Sequence, residues 1–412
     1  MLKEMPQNSR DWSELKKEMI ERGDGDAKWR EGKTAIYVFN AGEDVAQVQK
    51  EAYAMYMSEN GLGPLAFPSL KQMEDEVVGM GLNLLHAPED AAGNITSGGT
   101  DSINMAVKTA RDYALANKSI EGQPNIVAPY SAHPAFDKAA TMMSLELRRI
   151  PCADNLLADV AAMEAAIDSN TIMLVGSAPS FPYGLIDPIG DLGELATRQD
   201  VWLHVDACVG GYIAPFVRMN GADVPPFDFE ISGVCSMSAD LHKYGFCAKG
   251  ASTVLFRSEA LRAHMIFDCD DWPGGRMVTP TLAGTRPGGA ISAAWAVMNY
   301  LGTEGYCAKH KQVTDAREAI ENGVSQLGFH VLGEPMLGIV AFSHPELDVF
   351  AIYKQLYNRG WFTSLTTDPK ALHLMLSPYH LQVTDIYLAD LRDAIEAVSA
   401  GDSDAVTEAR YS

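Results

Sequence analysis

Three things are scarce in this sequence of 412 residues: paired cysteines, long apolar runs and positive charge. Its six cysteines, Cys152, Cys208, Cys235, Cys247, Cys269 and Cys307, include no Cys-x-x-Cys pair. Spread out and mostly set in apolar segments, they read as reduced core residues, not as a disulfide framework or a metal site. No window offers the roughly 18 uncharged apolar residues that cross a bilayer, and the charged N-terminal stretch has no signal-peptide core. A transmembrane segment is therefore not expected, and the chain reads as soluble and cytoplasmic. Against 54 acidic residues stand 32 basic ones, a formal charge of −22. Such a field repels phosphodiester backbones and anionic bilayers, so nucleic acid is excluded as a partner, and an anionic small molecule would need a local positive pocket.

What is present is ample chain for an enzyme. From residue 125 apolar strands alternate with helices: strands at 125–129, 145–150, 171–177 and 201–207, and helices at 130–140, 160–167 and 189–199. That alternation predicts a mostly parallel sheet covered on both faces, with chemistry gathered beyond the carboxyl ends of its strands. His133, Ser177, Asp206 and the pair His242-Lys243 all fall at such ends. Two more strands, 229–237 and 251–256, are expected to bracket the latter pair. Earlier helices are expected at 9–21, 45–57 and 70–85, with 34–39 a strand or extended arm. Turn-rich residues 268–289 read as a subunit-contact or active-site loop, followed by helices at 291–301 and 306–327. The organisation expected is an N-terminal segment (1–66), a large domain (67–305), a connecting helix (306–327) and a small α+β domain (328–412).

Three stretches carry chemistry. Lys243 and Lys249 lie on a short connection between two apolar runs with little room to reach solvent, where a partly desolvated amine loses charge readily; for Lys243 this suits Schiff-base formation with an aldehyde such as pyridoxal phosphate. An ordinary lysine with its stem along the core is the competing reading. Ser97-Gly-Gly-Thr100 opens a helical run through Ile103, Ala106, Val107 and Ala110. Its free N–H groups make an anion site that glycines let a phosphate approach closely, although plain helix capping explains the same residues. Asp206 ends an apolar strand and needs a buried partner: the protonated nitrogen of a pyridine ring, or else His204 or His242.

Taken in order, Thr96-Ser-Gly-Gly-Thr, Ser131-Ala-His-Pro-Ala-Phe-Asp-Lys-Ala-Ala, His204-Val-Asp-Ala-Cys-Val-Gly-Gly, Ser238-Ala-Asp-Leu-His-Lys-Tyr-Gly and Ala283-Gly-Thr-Arg-Pro-Gly-Gly resemble the PLP-dependent group II decarboxylase family, most closely its sphingosine-1-phosphate lyase branch. The resemblance implies the aspartate-aminotransferase fold (fold type I) and a homodimer with a shared active site. It implies that Lys243 carries the cofactor, His133 stacks on its ring and Asp206 pairs with its nitrogen. Ser97, Gly98, Gly99, Thr100 and His242 would hold its phosphate, with Thr285 reaching in from the other subunit. Lys249 matches a second lysine near the reaction centre, and Tyr37 a tyrosine of an N-terminal motif. Gly61-Leu-Gly-Pro-Leu-Ala-Phe-Pro68 lacks the histidine expected to help bind a substrate phosphate.

The implied activity is retro-aldol cleavage of a phosphorylated amino alcohol by a PLP-dependent carbon-carbon lyase. An amino acid α-decarboxylase is the alternative, and a noncatalytic binding protein on the same fold the outsider. Which bond breaks depends on which stands perpendicular to the cofactor ring.

Overall fold

The fold is given by a computed structural model that describes residues 2–401 and 404–409. Met1, 402–403 and 410–412, at the ends of the two outer expected segments, lie outside the described residues. Helix α1 (Trp12–Arg22) starts at Asp11, whose carboxylate accepts from the Ser13 N–H. Helices α2 (Glu43–Met55) and α3 (Pro68–Leu84) lead to strand β1 (Ala92–Thr96) and helix α4 (Gly99–Asn117). There follow β2 (Asn125–Pro129), α5 (Ala135–Met143), β3 (Glu146–Ile150), α6 (Val160–Ala165), β4 (Thr171–Ser177), α7 (Ile189–Gln199), β5 (Trp202–Asp206), α8 (Ala214–Met219), β6 (Val234–Ala239) and β7 (Ser252–Phe256).

Seven strands form one sheet in the order β1-β7-β6-β5-β4-β2-β3. Neighbours pair in parallel from β3 through β6, while β7 runs against both β6 and β1. Because side chains alternate across a strand, Ile126, Ala128, Met173 and Val175 face one way and pack against α4 and α5 residues such as Ile103, Ala106, Val107 and Phe136. Val127, Leu174, Leu203 and Met237 face the other way, onto a core that includes Val77, Leu192, Leu195, Phe216 and Val297. Burial on both faces is why these strands read as continuous apolar runs.

Helix α9 (Glu259–Arg262) and a hairpin of β8 (Phe267–Cys269) and β9 (Met277–Thr279) precede the long helix α10 (Gly288–Gln326), which breaks direction at Gly302 with φ 54°. The two expected helices meet at this kink, which glycine tolerates because it has no Cβ. A second sheet follows, in the order β10-β11-β13-β12: β10 (His330–Val331), β11 (Ile339–Ser343), β12 (Ser364–Thr367) and β13 (Lys370–Met375), with α11 (Val349–Asn358) and α12 (Thr384–Ser399).

Several expectations are corrected. The strand expected over 229–237 begins only at Val234, because Phe229–Gly233 turn and Arg257 caps three of the carbonyls there: those of Phe229, Ile231 and Val234. Strands β1 and β12, and the hairpin inside the turn-rich loop, were not anticipated. Residues 34–39 are an extended arm, not a strand: Ala35 donates to the Phe362 carbonyl, Phe362 to that of Lys33, and Met375 to that of Ala35. The arm therefore ties the start of the chain to the small sheet.

Candidate active site

The carboxyl ends of β2, β4, β5 and β6 and the start of α4 surround a cavity of about 180 Å³. It is lined by Gly99, Thr100, His133, Ser177, Asp206, Asp240, His242 and Lys243, together with Ile103, Pro179, Phe181, Cys208 and Val209. Strand register accounts for part of this. Ser177 lies opposite Asp206 on β4 and β5, and Asp206 opposite Ser238 on β6, so three polar side chains stand in one row at the strand tips. A tight turn after β6 brings the lysine back over the same edge: Lys243 N–H donates to the Asp240 carbonyl and His242 N–H to that of Ala251.

Asp206 is the end of a directional chain. The indole N–H of Trp202 can only donate, and it donates to Ser236 Oγ at 2.8 Å. Ser238 spends its one proton on Asp206, so His204 Nε2 carries the proton directed at Ser238 Oγ (3.2 Å), and Nδ1 of the neutral ring accepts from the Ser236 hydroxyl (2.8 Å). Ser238 in turn donates to Asp206 Oδ1 at 3.1 Å, and the Cys208 N–H reaches the same oxygen at 3.1 Å. Burial lowers His204 to about 4, in keeping with the single proton this chain needs. The direct pairs of Asp206 with His204 or His242 entertained from sequence do not form; Ser238 stands between Asp206 and His204. Asp206 Oδ2 has no hydrogen-bond partner among the described residues, and Ser177 Oγ is buried without one.

His133 accepts from the Ala135 N–H through Nδ1 at 3.1 Å, so its proton sits on Nε2. Burial, opposed by the charge of Asp206, lowers it and keeps the imidazole neutral near pH 7. Lys243 Nζ lies 3.0 Å from Asp240 Oδ2, and His242 Nε2 lies 3.8 Å from that oxygen. Burial also lowers His242.

The remaining sequence candidates lie around this core. Gly98 is the N-cap of α4, and a Cβ there would stand 3.5 Å from His242 Cε1. Ser97 is exposed, and both its N–H and its hydroxyl bond to the Asp101 carboxylate; no side chain caps the start of α4, so the plain-capping alternative does not form. Lys249, expected to have little access to solvent, is an exposed residue. Its ammonium nevertheless donates to the Tyr37 carbonyl (2.8 Å) and the His242 carbonyl (3.3 Å) and sits 5.2 Å from the Phe39 ring centre. Desolvation of that end, then the charge of Lys243, lowers it to about 8. Tyr37, in the left-handed region at φ 62°, touches the site through its carbonyl, while its ring lines a separate aromatic cavity with Tyr353, Tyr357 and Phe362. Thr285 is exposed on the segment before α10 and does not line the cavity. Its neighbour Arg286, grouped with it from sequence, is instead buried and pairs with Glu74, the Ile95 carbonyl and the Gly61 carbonyl.

Sequence reasoning missed Asp240 and Cys208. Asp240 had a readable signal, a carboxylate just past a buried strand and three residues before the lysine. A second cavity of about 490 Å³ shares His133 and Phe181 with the first and opens between 130–134, 181–183 and β12.

A mostly parallel sheet with a lysine, a buried carboxylate and a helix N-terminus converging on one cavity defines an enzyme of the pyridoxal-phosphate type. The chain belongs to the pyridoxal-dependent decarboxylase family, whose conserved domain matches residues 24–344. Among its relatives, sphingosine-1-phosphate lyase of Oryza sativa is 42% identical over 385 residues, covering 91% of this chain and 71% of that protein. The structure of sphingosine-1-phosphate lyase from Burkholderia pseudomallei is similar at a TM-score of 0.92 and 36% identity, over 96% of this chain and 93% of that one. A probable L-tyrosine/L-aspartate decarboxylase of Methanothermobacter thermautotrophicus is 34% identical over 83% of this chain and 92% of its own.

The cofactor of the family is pyridoxal phosphate, and the residues present fit it. The open Asp206 Oδ2 suits a protonated ring nitrogen, the unpartnered Ser177 hydroxyl offers a further polar contact, and the N-terminus of a 19-residue helix suits a phosphate.

Proposed function

We propose that this chain is a pyridoxal-phosphate-dependent carbon-carbon lyase that cleaves a phosphorylated amino alcohol between C2 and C3. The observation that carries the lyase reading over decarboxylation is the 36% identity and TM-score of 0.92 to a bacterial sphingosine-1-phosphate lyase, sustained over nearly the whole of both chains. Cavity chemistry is shared by both reactions.

In this reading Lys243 holds the cofactor covalently, Asp206 keeps its ring nitrogen protonated and the neutral His133 flanks its ring. Ser97, Gly98, Gly99, Thr100 and His242 hold the phosphate, and Thr285 of a second subunit completes that grip. When bound, the cofactor supplies an electron sink for a bond breaking at the carbon next to the substrate nitrogen. Lys249, lowered to about 8, has a substantial neutral fraction in mildly basic solution and takes the proton of the substrate hydroxyl as the C2–C3 bond breaks. The hydroxyl carbon leaves as an aldehyde, and the carbon left behind takes up a proton and departs as phosphoethanolamine. Tyr37 fixes Lys249 through its carbonyl. The larger cavity adjoining His133 and Phe181 receives the rest of the substrate.

The test is a mass-spectrometric product screen with a phosphorylated sphingoid base, short phosphorylated amino alcohols and the common amino acids. Aldehyde with phosphoethanolamine is expected; amine with carbon dioxide would make the chain a decarboxylase.

A further inference from the structure

We propose that Asp240 is a positioning residue that holds the Lys243 ammonium in the unloaded enzyme and so sets how fast, and over what pH range, the cofactor attaches. The inference rests on the reading that Lys243 is the attachment point. Asp240 is 2% exposed, lines the cavity, and bonds Lys243 Nζ at 3.0 Å through Oδ2. Its backbone is fixed at the tip of β6, where its N–H donates to the Cys208 carbonyl at 3.2 Å. A Cβ on Gly99 would stand 2.7 Å from Oδ2 and 2.8 Å from Cys208 Sγ, so the carboxylate is packed against the first residue of α4 with no room to swing that way.

Buried carboxylates need compensation, and the charged or titratable groups facing Asp240 are few. His242 and Lys243 lie on the same turn, His133 follows β2, Asp206 ends β5 with Cys208 and Tyr212 after it, and Lys249 lies beyond the turn. Burial works to raise the Asp240 carboxyl, but the charge of Lys243, then that of His242 and the hydrogen bonds of Ser252 and Lys243, hold it below the usual carboxylate range.

Attachment to an aldehyde requires a neutral amine. Lys243 first sheds a proton; its nitrogen then attacks the carbonyl carbon, two hydrogens leave the nitrogen, and the aldehyde oxygen departs with them as water while the C=N bond forms. An opposite charge within hydrogen-bond reach favours the ammonium by about one to three pH units. Asp240 therefore places the nitrogen at the cavity wall and, by the same contact, favours its charged form.

The experiment follows attachment by absorbance in the cofactor-stripped full-length chain across pH, using both pyridoxal phosphate and phosphate-free pyridoxal. Borohydride reduction and peptide mapping of the chain loaded with one equivalent of pyridoxal phosphate are done first: a label found elsewhere with none on Lys243 defeats the attachment reading itself and this inference with it. With the label on Lys243, Asp240→Asn is expected to speed attachment about tenfold or more near pH 7 and to move the rate profile to lower pH with both aldehydes. An unmoved profile, or one moved only with the phosphate-bearing aldehyde, overturns the role assigned to Asp240. Asp240→Ser serves as a second variant. If neither folds, wild-type labelling by pyridoxal decides: Lys249 should become reactive at lower pH than Lys243, and the reverse order overturns the proposal.

Discussion

At the scale of single residues, the site separates two lysines six positions apart by what surrounds each nitrogen. Lys243 faces a buried carboxylate, whereas Lys249 faces carbonyls and a neighbouring positive charge and is lowered to about 8. If Lys249 is the base for the substrate hydroxyl, turnover rises with pH as the amine deprotonates and levels off above about 8. Lys249→Ala should remove that limb and lose about 30-fold to 1000-fold in kcat, the equivalent of roughly 2 to 4 kcal/mol in the transition state. Cofactor affinity should change far less. Steady-state rates against pH and dissociation constants for both proteins check this; an unchanged pH profile removes Lys249 from the reaction. A carboxylate three residues before Lys243 is legible in the sequence, but its contact with the lysine is not, because a sequence does not say which way a turn folds back.

At the scale of elements, β5 and β6 act as a pair, and the serines of β6 exist to be donors and acceptors for β5. Ser236 and Ser238 link Trp202, His204 and Asp206 in one chain of hydrogen bonds inside the sheet's covered face. Ser238→Ala breaks it in the middle and leaves the His204 N–H unsatisfied, which costs about 1 to 3 kcal/mol of stability. It also loosens Asp206, so cofactor affinity should fall along with the midpoint of denaturant unfolding. Loss of stability with unchanged affinity would confine the chain of bonds to a structural part. Parallel strands such as β4, buried throughout and apolar but for its ends, were readable from sequence because both faces are buried. Strand β1 was not: Ala92-Gly-Asn-Ile-Thr96 buries only its last two residues fully and pairs with β7 at the sheet's edge. Likewise β12, Ser364-Leu-Thr-Thr367, has one apolar residue and owes its form to pairing with β13.

At the scale of the whole molecule, the acidic surface contains an apolar region that a single chain leaves open. Tyr53, Met55, Met57, Leu62 and Leu65 are exposed, as are Phe267, Trp272, Met277, Val278 and Leu282 on and beside the β8–β9 hairpin. The two runs meet: Asn60 bridges Pro287, Gly61 N–H donates to the Arg286 carbonyl, and Gly284 lies near the Leu62 and Met277 side chains. The buried pair Arg286–Glu74 anchors this junction to α3, so the patch has a rigid base. Exposed apolar area of that kind marks a protein interface, and Thr285, exposed in its midst, is placed to serve a neighbour's site if the neighbour is a second copy of this chain. The active form is accordingly expected to be a homodimer, with the two copies meeting through the same patch. Sedimentation of the wild type should give twice the chain mass, and Leu62→Glu combined with Leu282→Glu should shift it toward monomer with a parallel loss of activity. Such a variant, folded by circular dichroism yet monomeric and fully active, would show that each chain carries a complete site and that the apolar patch serves another purpose.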